Sequence, residues 1–339
     1  MWFYVIGVLF GIFALFSAAF TALIWWSTPK RHRLNVRGKN VFITGGSKGI
    51  GRELAAEFLR RGANSVSIGA RNAEALQVAK KYLETIANNG QRIETYELDV
   101  TMEYEKIVEL MQVAEERVGS IDVLVNNAGS VVQGAFDEIP VDSFTKQMHI
   151  NYVGAALVSR AVISGMKARR RGHICFVSSA AGQCAIWGYS AYSPSKFAVR
   201  ALADVLHMEL QPFGIGVSVV YPPNTDTEGF AVEQREMPEQ IREISGTSGL
   251  FPADYVARAT INTIENGGFR TTIGFEGWML GLLTAGASPE PIGYAAYLQF
   301  LFAGLFRGVM VFYLGAFDRI VQTIHDKSED TSRQRTRSH

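Results

Sequence analysis

Apolar residues fall along this chain in three regimes. Residues 1–29 carry no charged side chain and run into the basic stretch "KRHR" at 30–33. About 25 apolar residues rising 1.5 Å each cross the roughly 30 Å hydrocarbon layer of a bilayer, so this segment is expected to be a transmembrane anchor. A signal peptide has a basic start and a shorter apolar core. Here the basic residues lie downstream, which by the positive-inside rule puts the rest of the chain on the cytosolic side. Toward the other end, "WMLGLLTAGA" (278–287) and an apolar run at 292–317, interrupted only by Arg307, are expected to associate with membrane. A mid-bilayer arginine costs about 2.5–3.5 kcal/mol, which leaves a span, a re-entrant hairpin and an interfacial helix all open. The stretch "DKSEDTSRQRTRSH" (326–339) is polar and expected to be disordered.

Between about 38 and 275 the pattern alternates. The short apolar runs are "NVFIT" (40–44), "SVSIGAR" (65–71), "RIETYELDV" (92–100), "IDVLVNNAG" (121–129), "GHICFVSS" (172–179) and "IGVSVVYPP" (215–223). Stretches with helical spacing separate them, among them "RELAAEFLRRG", "EALQVAKKYLETIANNG", a long one across 144–167, and "SPSKFAVRALADVLHMELQP". Such alternation predicts the α/β class with a doubly wound parallel sheet and ligands at the carboxyl ends of its strands. The expected division is an N-terminal anchor (1–29), a catalytic domain (30–275), a membrane-associated region (276–318) and a polar tail (319–339).

Composition narrows the function classes. The net charge is +1 and no basic-aromatic pattern is present, which argues against a nucleic-acid partner. The two cysteines, Cys175 and Cys184, have no ligand-spaced neighbours, so neither a metal site nor a disulfide framework is expected.

The candidate chemistry sits at the strand ends. "TGGSKGIG" joins the first strand to a helix, and its Gly45, Ser47, Lys48, Gly49, Ile50 and Gly51 are expected to cradle a dinucleotide pyrophosphate at a helix N-terminus. The second strand ends "GARN", with no acid before Glu74 to bond a ribose 2′-hydroxyl. Arg71 and Lys48 instead suit a 2′-phosphate, so NADPH is the expected cofactor. Asp99 ends the third strand, placed for the adenine, and Asn126 opens "NNAG", beside the adenine and ribose. "YSPSK" puts Tyr192 and Lys196 four apart on one helix face, where a lysine charge would lower the phenol's pKa. Upstream lie Ser178 and Ser179 at a strand end, and Asn151 within a helix.

In order, "TGGSKGIG", "NNAG", Asn151, the serine and "YSPSK" resemble the short-chain dehydrogenase/reductase superfamily over about residues 38–275. The resemblance implies a Rossmann-type fold and a catalytic set of four. Tyr192 would give a proton to the substrate carbonyl oxygen. Lys196 would lower its pKa and bond the nicotinamide ribose. Ser179 would orient the carbonyl, with Ser178 the less favoured neighbour by its spacing to Tyr192. Asn151 would hold a relay water. Thr225 would meet the carboxamide or phosphates of the cofactor.

The loop "YPPNTDTEGF" (221–230), with "RAVISGMKARRRGHICFVSS" before it and "LFRGVMVFYLGAFDRIV" after it, resembles the 3-ketodihydrosphingosine reductase family. That resemblance implies NADPH-dependent reduction of a long-chain sphingoid ketone at the endoplasmic reticulum membrane, with the catalytic domain facing the cytosol. The stretch 229–246 is expected to be a mobile lid, and Asp226 and Glu228 are candidates to meet the substrate ammonium. Asn224 stands where that family has aspartate, and Lys48 where many members have serine. A membrane-bound reductase of steroids, retinoids or other lipid carbonyls would share the catalytic set, whereas the intact set argues against a non-catalytic scaffold. A homo-oligomer is left open.

Overall fold

Six of the apolar runs become parallel strands in the computed structural model, which describes residues 1–27, 31–290 and 293–337. Pro29 and Lys30 of the anchor and basic run, Ile292 at the start of the second apolar run, and residues 338–339 of the tail lie outside the described residues.

A helix α1 (Trp2–Ser27) comes first, followed by β1 (Asn40–Thr44), α2 (Gly49–Arg60), β2 (Ser65–Ala70), α3 (Ala73–Glu84), β3 (Arg92–Glu97), α4 (Tyr104–Val118) and β4 (Val123–Asn126). The long helical stretch is α5 (Asp142–Met148) running through a π-turn, His149–Val153, into α6 (Gly154–Arg169). Then come β5 (Gly172–Val177), α7 (Tyr192–Leu210), β6 (Ile215–Tyr221), a two-residue strand β7 (Thr225–Asp226), α8 (Glu228–Glu233), α9 (Glu239–Gly246), and β8 (Phe251–Pro252) paired with β7. The last elements are α10 (Ala253–Asn266), β9 (Arg270–Thr272), α11 (Gly274–Leu283) and α12 (Gly293–Arg337).

The main sheet is wholly parallel, in the order β3-β2-β1-β4-β5-β6-β9. β4, β5 and β6 are buried along their whole length, because helices cover both faces and leave no solvent side for polar alternation. On one face Leu54 and Phe58 of α2 and Val256 and Ile261 of α10 meet Val66 and Ile68. On the other, Ile107 and Met111 of α4, Val158 and Val162 of α6 and Val199 of α7 meet Ile174 and Phe176. Arg61 ties α2 to α10, reaching Glu57 at 2.8 Å and Glu265 at 2.5 Å. The seventh strand, β9, is three residues long, too short to carry a readable alternation in the sequence.

The C-terminal region departs from expectation. Part of the apolar 278–287 stretch packs against α12. Met279 and Leu282 of α11 are buried with Phe306 of α12, and Arg270 donates to the Gly281 carbonyl at 2.6 Å while pairing with Glu290 at 3.0 Å. Helix α12 is continuous for 45 residues, which excludes a re-entrant hairpin within 293–337. It also carries on through 326–337, where disorder is expected. Pairs four residues apart hold that last part, Gln322–Asp326 at 2.8 Å and Arg333–Glu329 at 2.9 Å. Arg307 is exposed, next to the buried Phe306.

Two helices are long and apolar enough to cross a membrane, with mean hydropathy 2.3 over Trp2–Trp26 and 1.8 within Gly293–Thr331. They touch each other. Phe20 and Phe300 lie with ring centroids 4.2 Å apart, and the Ser17 and Tyr297 hydroxyls are 3.3 Å apart.

Candidate active site

A cavity of about 750 Å³ opens at the carboxyl ends of β4, β5 and β6, where a doubly wound sheet places its ligands. Ser179, Tyr192, Lys196 and Thr225 line it. Tyr192 is the first residue of α7 and Lys196 comes one turn later. The Lys196 Nζ lies 5.7 Å from the centre of the Tyr192 ring and donates to the Val177 carbonyl at 3.0 Å. Burial pushes the Lys196 ammonium down to about 8. The Tyr192 phenol is raised, chiefly by burial, with the Ser179 hydrogen bond opposing and the Glu233 charge adding. The Lys196 ammonium donates to a backbone carbonyl, and desolvation sets the direction of the Tyr192 shift.

The structure separates the two serines. Ser178 Oγ is buried and donates to the Lys196 carbonyl at 2.9 Å, so it fastens α7 to the end of β5. Ser179 Oγ accepts from the Ala181 amide at 3.1 Å and hydrogen-bonds the Tyr192 hydroxyl, so both groups stand where a bound carbonyl oxygen would meet them.

Asn151 sits within the π-turn and is buried. The extra residue in such a turn swings one side chain out of helical register, which explains how a mediocre helix former is accommodated there. Its Nδ2 donates to the Ser130 carbonyl at 3.0 Å and to Ser195 Oγ at 2.8 Å, and its Oδ1 accepts from the Ser130 amide at 2.9 Å. Asn151 and Lys196 converge on Gly129, whose absent Cβ would stand 3.1 Å from one and 3.3 Å from the other.

The cofactor cradle has a different division of labour from the expected one. Gly45 has φ +66° and a Cβ there would stand 2.9 Å from the Ala128 Cα, while a Cβ on Gly51 would strike the Gly45 carbonyl. These two glycines serve the packing of the turn itself. Lys48, the residue before α2, provides no side-chain cap. In its place the Gly49 amide donates to Glu228 at 3.1 Å, at the helix terminus that suits a pyrophosphate. Ile50 lines the cavity and Ser47 is buried in the turn. Lys48 and Arg71 are exposed and make no ion pair among the described residues. The residues present therefore fit a dinucleotide.

Three residues expected to contact the cofactor have hydrogen-bond partners within the chain. Asn126 turns away from the cavity, donating to Ser159 Oγ at 2.9 Å inside the helix layer. Its neighbour Asn127 lines the cavity instead and knits β4 to β1, donating to the Thr44 and Gly45 carbonyls at 3.1 and 3.0 Å. Asp99 closes its own turn by accepting from the Thr101 amide at 2.9 Å and hydroxyl at 2.7 Å. Thr225 lines the cavity, but its hydroxyl donates to the Pro223 carbonyl at 2.9 Å.

The stretch 229–246 folds as most of α8 and all of α9 along the cavity. Met237 and Ile241 are buried with Ala181 and Tyr189, so the cover is packed in place rather than a loose lid. Asp226 is exposed and outside the cavity wall, and Glu228 points back to the glycine turn, so neither expected acid faces the catalytic groups. Gln133, Tyr189 and Glu233 do line the cavity. No motif marks them in the sequence, since Gln133 and Glu233 are 100 residues apart and meet only in the fold.

Comparison with known proteins agrees with this geometry. Residues 39–238 match the family described as short chain dehydrogenase. A Danio rerio protein named 3-dehydrosphinganine reductase is 42% identical over 92% of this chain and 94% of its own length. A Mus musculus protein named 3-ketodihydrosphingosine reductase is 41% identical over 90% and 92%. A Dictyostelium discoideum protein of that name is 31% identical over 92% and 95%. Membership implies a nicotinamide cofactor and oxidoreductase chemistry at a ketone. The parallel sheet, the glycine turn and the Ser179–Tyr192–Lys196 cluster thus have a common explanation: the chain belongs to the short-chain dehydrogenase family.

Proposed function

We propose that the protein reduces 3-ketodihydrosphingosine to dihydrosphingosine with NADPH, on the cytosolic face of the endoplasmic reticulum membrane. The observation that carries this reading is the two-ended cavity. Its inner end holds Ser179, Tyr192 and Lys196, and its outer wall is Met279 and Leu280 of α11 with Met310, Tyr313 and Phe317 of α12. Helix α12 is also one of the two helices long enough to cross a bilayer. A lipid ketone can thus pass its head to the catalytic groups while its alkyl chain stays against apolar surface. Each methylene kept from water is worth about 0.8 kcal/mol. The names of the relatives supply the sphingoid ketone. The downstream basic residues Arg31 and Arg33 support a cytosolic domain, and the resemblance to the reductase family supports the organelle.

The nicotinamide, when bound, supplies the hydride. Ser179 donates a hydrogen bond to the substrate carbonyl oxygen and fixes its orientation. Burial keeps the Tyr192 phenol protonated at neutral pH, so it stands ready to donate. An alkoxide is a stronger base than a phenolate, so the proton passes downhill from Tyr192 to the product oxygen. Lys196, held by Val177, keeps a positive charge beside the phenolate that results. Lys48 and Arg71 would receive the 2′-phosphate that distinguishes NADPH.

The test is turnover by the full chain in lipid nanodiscs. Reduction of 3-ketodihydrosphingosine with NADPH faster than with NADH is the expected result. No turnover of that ketone alongside good turnover of a steroid ketone overturns the substrate. Tyr192→Phe is expected to lose about 10²–10⁴-fold in rate while still binding NADPH.

A further inference from the structure

The inner end of the cavity contains an acid that the catalytic chemistry leaves unused. Glu233, the last residue of α8, is half-buried and lines the cavity with Gln133. Gln133 Nε2 donates to Glu233 Oε1. The other end of that amide, Gln133 Oε1, is buried and has no donor among the described residues. Glu233 forms no ion pair there either. The hydrogen-bonded Glu233–Gln133 pair therefore offers the cavity an anionic acceptor with no cation to satisfy it. The one cationic side chain in the cavity wall, Lys196, is committed to Val177. Glu233 is also close enough to Tyr189 and Tyr192 to raise both phenols. The acid and the proton donor line the same cavity.

A ligand that satisfies this pair needs several donors, no acceptor and a positive charge. A primary ammonium has that character. In a 2-amino-3-ketone the ammonium carbon is bonded directly to the carbonyl carbon, so a carbonyl held by Tyr192 and Ser179 carries the ammonium into the same end of the cavity. We propose that Glu233, with Gln133 beside it, receives the substrate ammonium and selects 2-amino ketones over ketones of equal chain length that lack the amine. This rests on the proposed sphingoid-ketone reading. Burial pushes the Glu233 carboxyl up to about 7, the Gln133 hydrogen bond opposing; a cation seated there favours the ionised form.

The experiment compares kcat/KM for 3-ketodihydrosphingosine and for its 2-desamino analogue in the full chain and in Glu233→Gln. The wild type is expected to prefer the amino ketone. Glu233→Gln is expected to lose roughly 30-fold or more on the amino ketone, mainly in KM, with little change on the analogue, as for loss of one partner of a buried charge pair. Equal loss on both substrates makes Glu233 a support of α8 and overturns the proposal, as does unchanged selectivity. A second measurement covers a variant that fails to fold: in the wild type, dihydrosphingosine should inhibit more tightly than the 2-desamino diol, and equal inhibition overturns the proposal. If the wild type turns over neither sphingoid ketone, it is the substrate reading that fails.

Discussion

Glu228 Oε2 accepts a hydrogen bond from the Gly49 amide at 3.1 Å, so a carboxylate from the loop after β6 sits on the first turn of α2. Its other oxygen pairs with Arg52 at 2.7 Å. The Gly49 amide belongs to the same helix terminus that the cofactor's pyrophosphate needs, and two anions cannot share it. Glu228→Ala is therefore expected to tighten NADPH binding by about 3- to 10-fold, a modest gain because Glu228 is half exposed and the pair is screened. The dissociation constant from NADPH fluorescence checks this. Weaker binding in the variant means that Glu228 builds the cradle instead of competing for it.

Asn224 Nδ2 donates to both the carbonyl and the hydroxyl of Ser245, each at 3.2 Å. The Asn224 carbonyl in turn accepts from the Phe251 amide at 3.0 Å. This residue pins the end of α9 to the sixth-strand loop. An aspartate has no donor to offer, and its charge would face a carbonyl. Asn224→Asp is expected to cost about 1–3 kcal/mol and to expose 229–246 to protease. Limited proteolysis mapped by mass spectrometry reads the effect, and an unchanged cleavage pattern would remove the pinning role.

Ser178 and Ser179 are adjacent, yet they should fail differently when mutated. Ser179→Ala leaves the fold intact and lowers kcat by about 10²-fold, because it removes a donor aimed at the developing oxyanion. Ser178→Ala removes a buried hydrogen bond to the Lys196 carbonyl and lowers thermal stability instead. Melting temperature and kcat measured together separate the two, and a shared phenotype contradicts the assignment.

His173 is fully buried in β5, with Nε2 2.8 Å from Ser218 Oγ and Nδ1 unpartnered. Burial pushes it down to about 3, with His32 and His207 adding. Unfolding restores it to about 6.5. Between those values the unfolded chain binds more protons, so stability rises with pH. The contribution is complete above about pH 6.5 and is lost as pH falls toward 3, by up to about 1.4 kcal/mol per pH unit. His173→Gln should flatten the acid limb of a stability profile measured by urea unfolding. Parallel profiles for both proteins would show that another group governs that limb.

The sheet was legible because its strands are covered on both faces. Runs such as "NVFIT" and "GHICFV" have no polar alternation and stand out between helical stretches. β9 was not legible, since three residues at a sheet edge carry no period. Tyr192, Lys196 and Ser179 could be read because local spacing places them, four residues apart on one helix or at a strand end. Asn126 and Asp99 show where local reading stops. Each lies at a strand end as expected, but side-chain direction there is set by a hydrogen-bond partner, Ser159 across the layer for Asn126 and Thr101 in the same turn for Asp99.

By itself the sequence determined the sheet, the glycine turn, the candidate catalytic residues and two apolar stretches long enough for a bilayer, which are read from short-range patterns of hydrophobicity and residue type. Tertiary structure decided the rest: the π-turn that aims Asn151, the buried bond that ties Ser178 to Lys196, the raised phenol of Tyr192, and the meeting of Gln133 with Glu233. These depend on desolvation and on contacts between residues far apart in the chain. No periodicity or local spacing encodes such contacts; they exist once α8, α9 and α12 close over the strand ends.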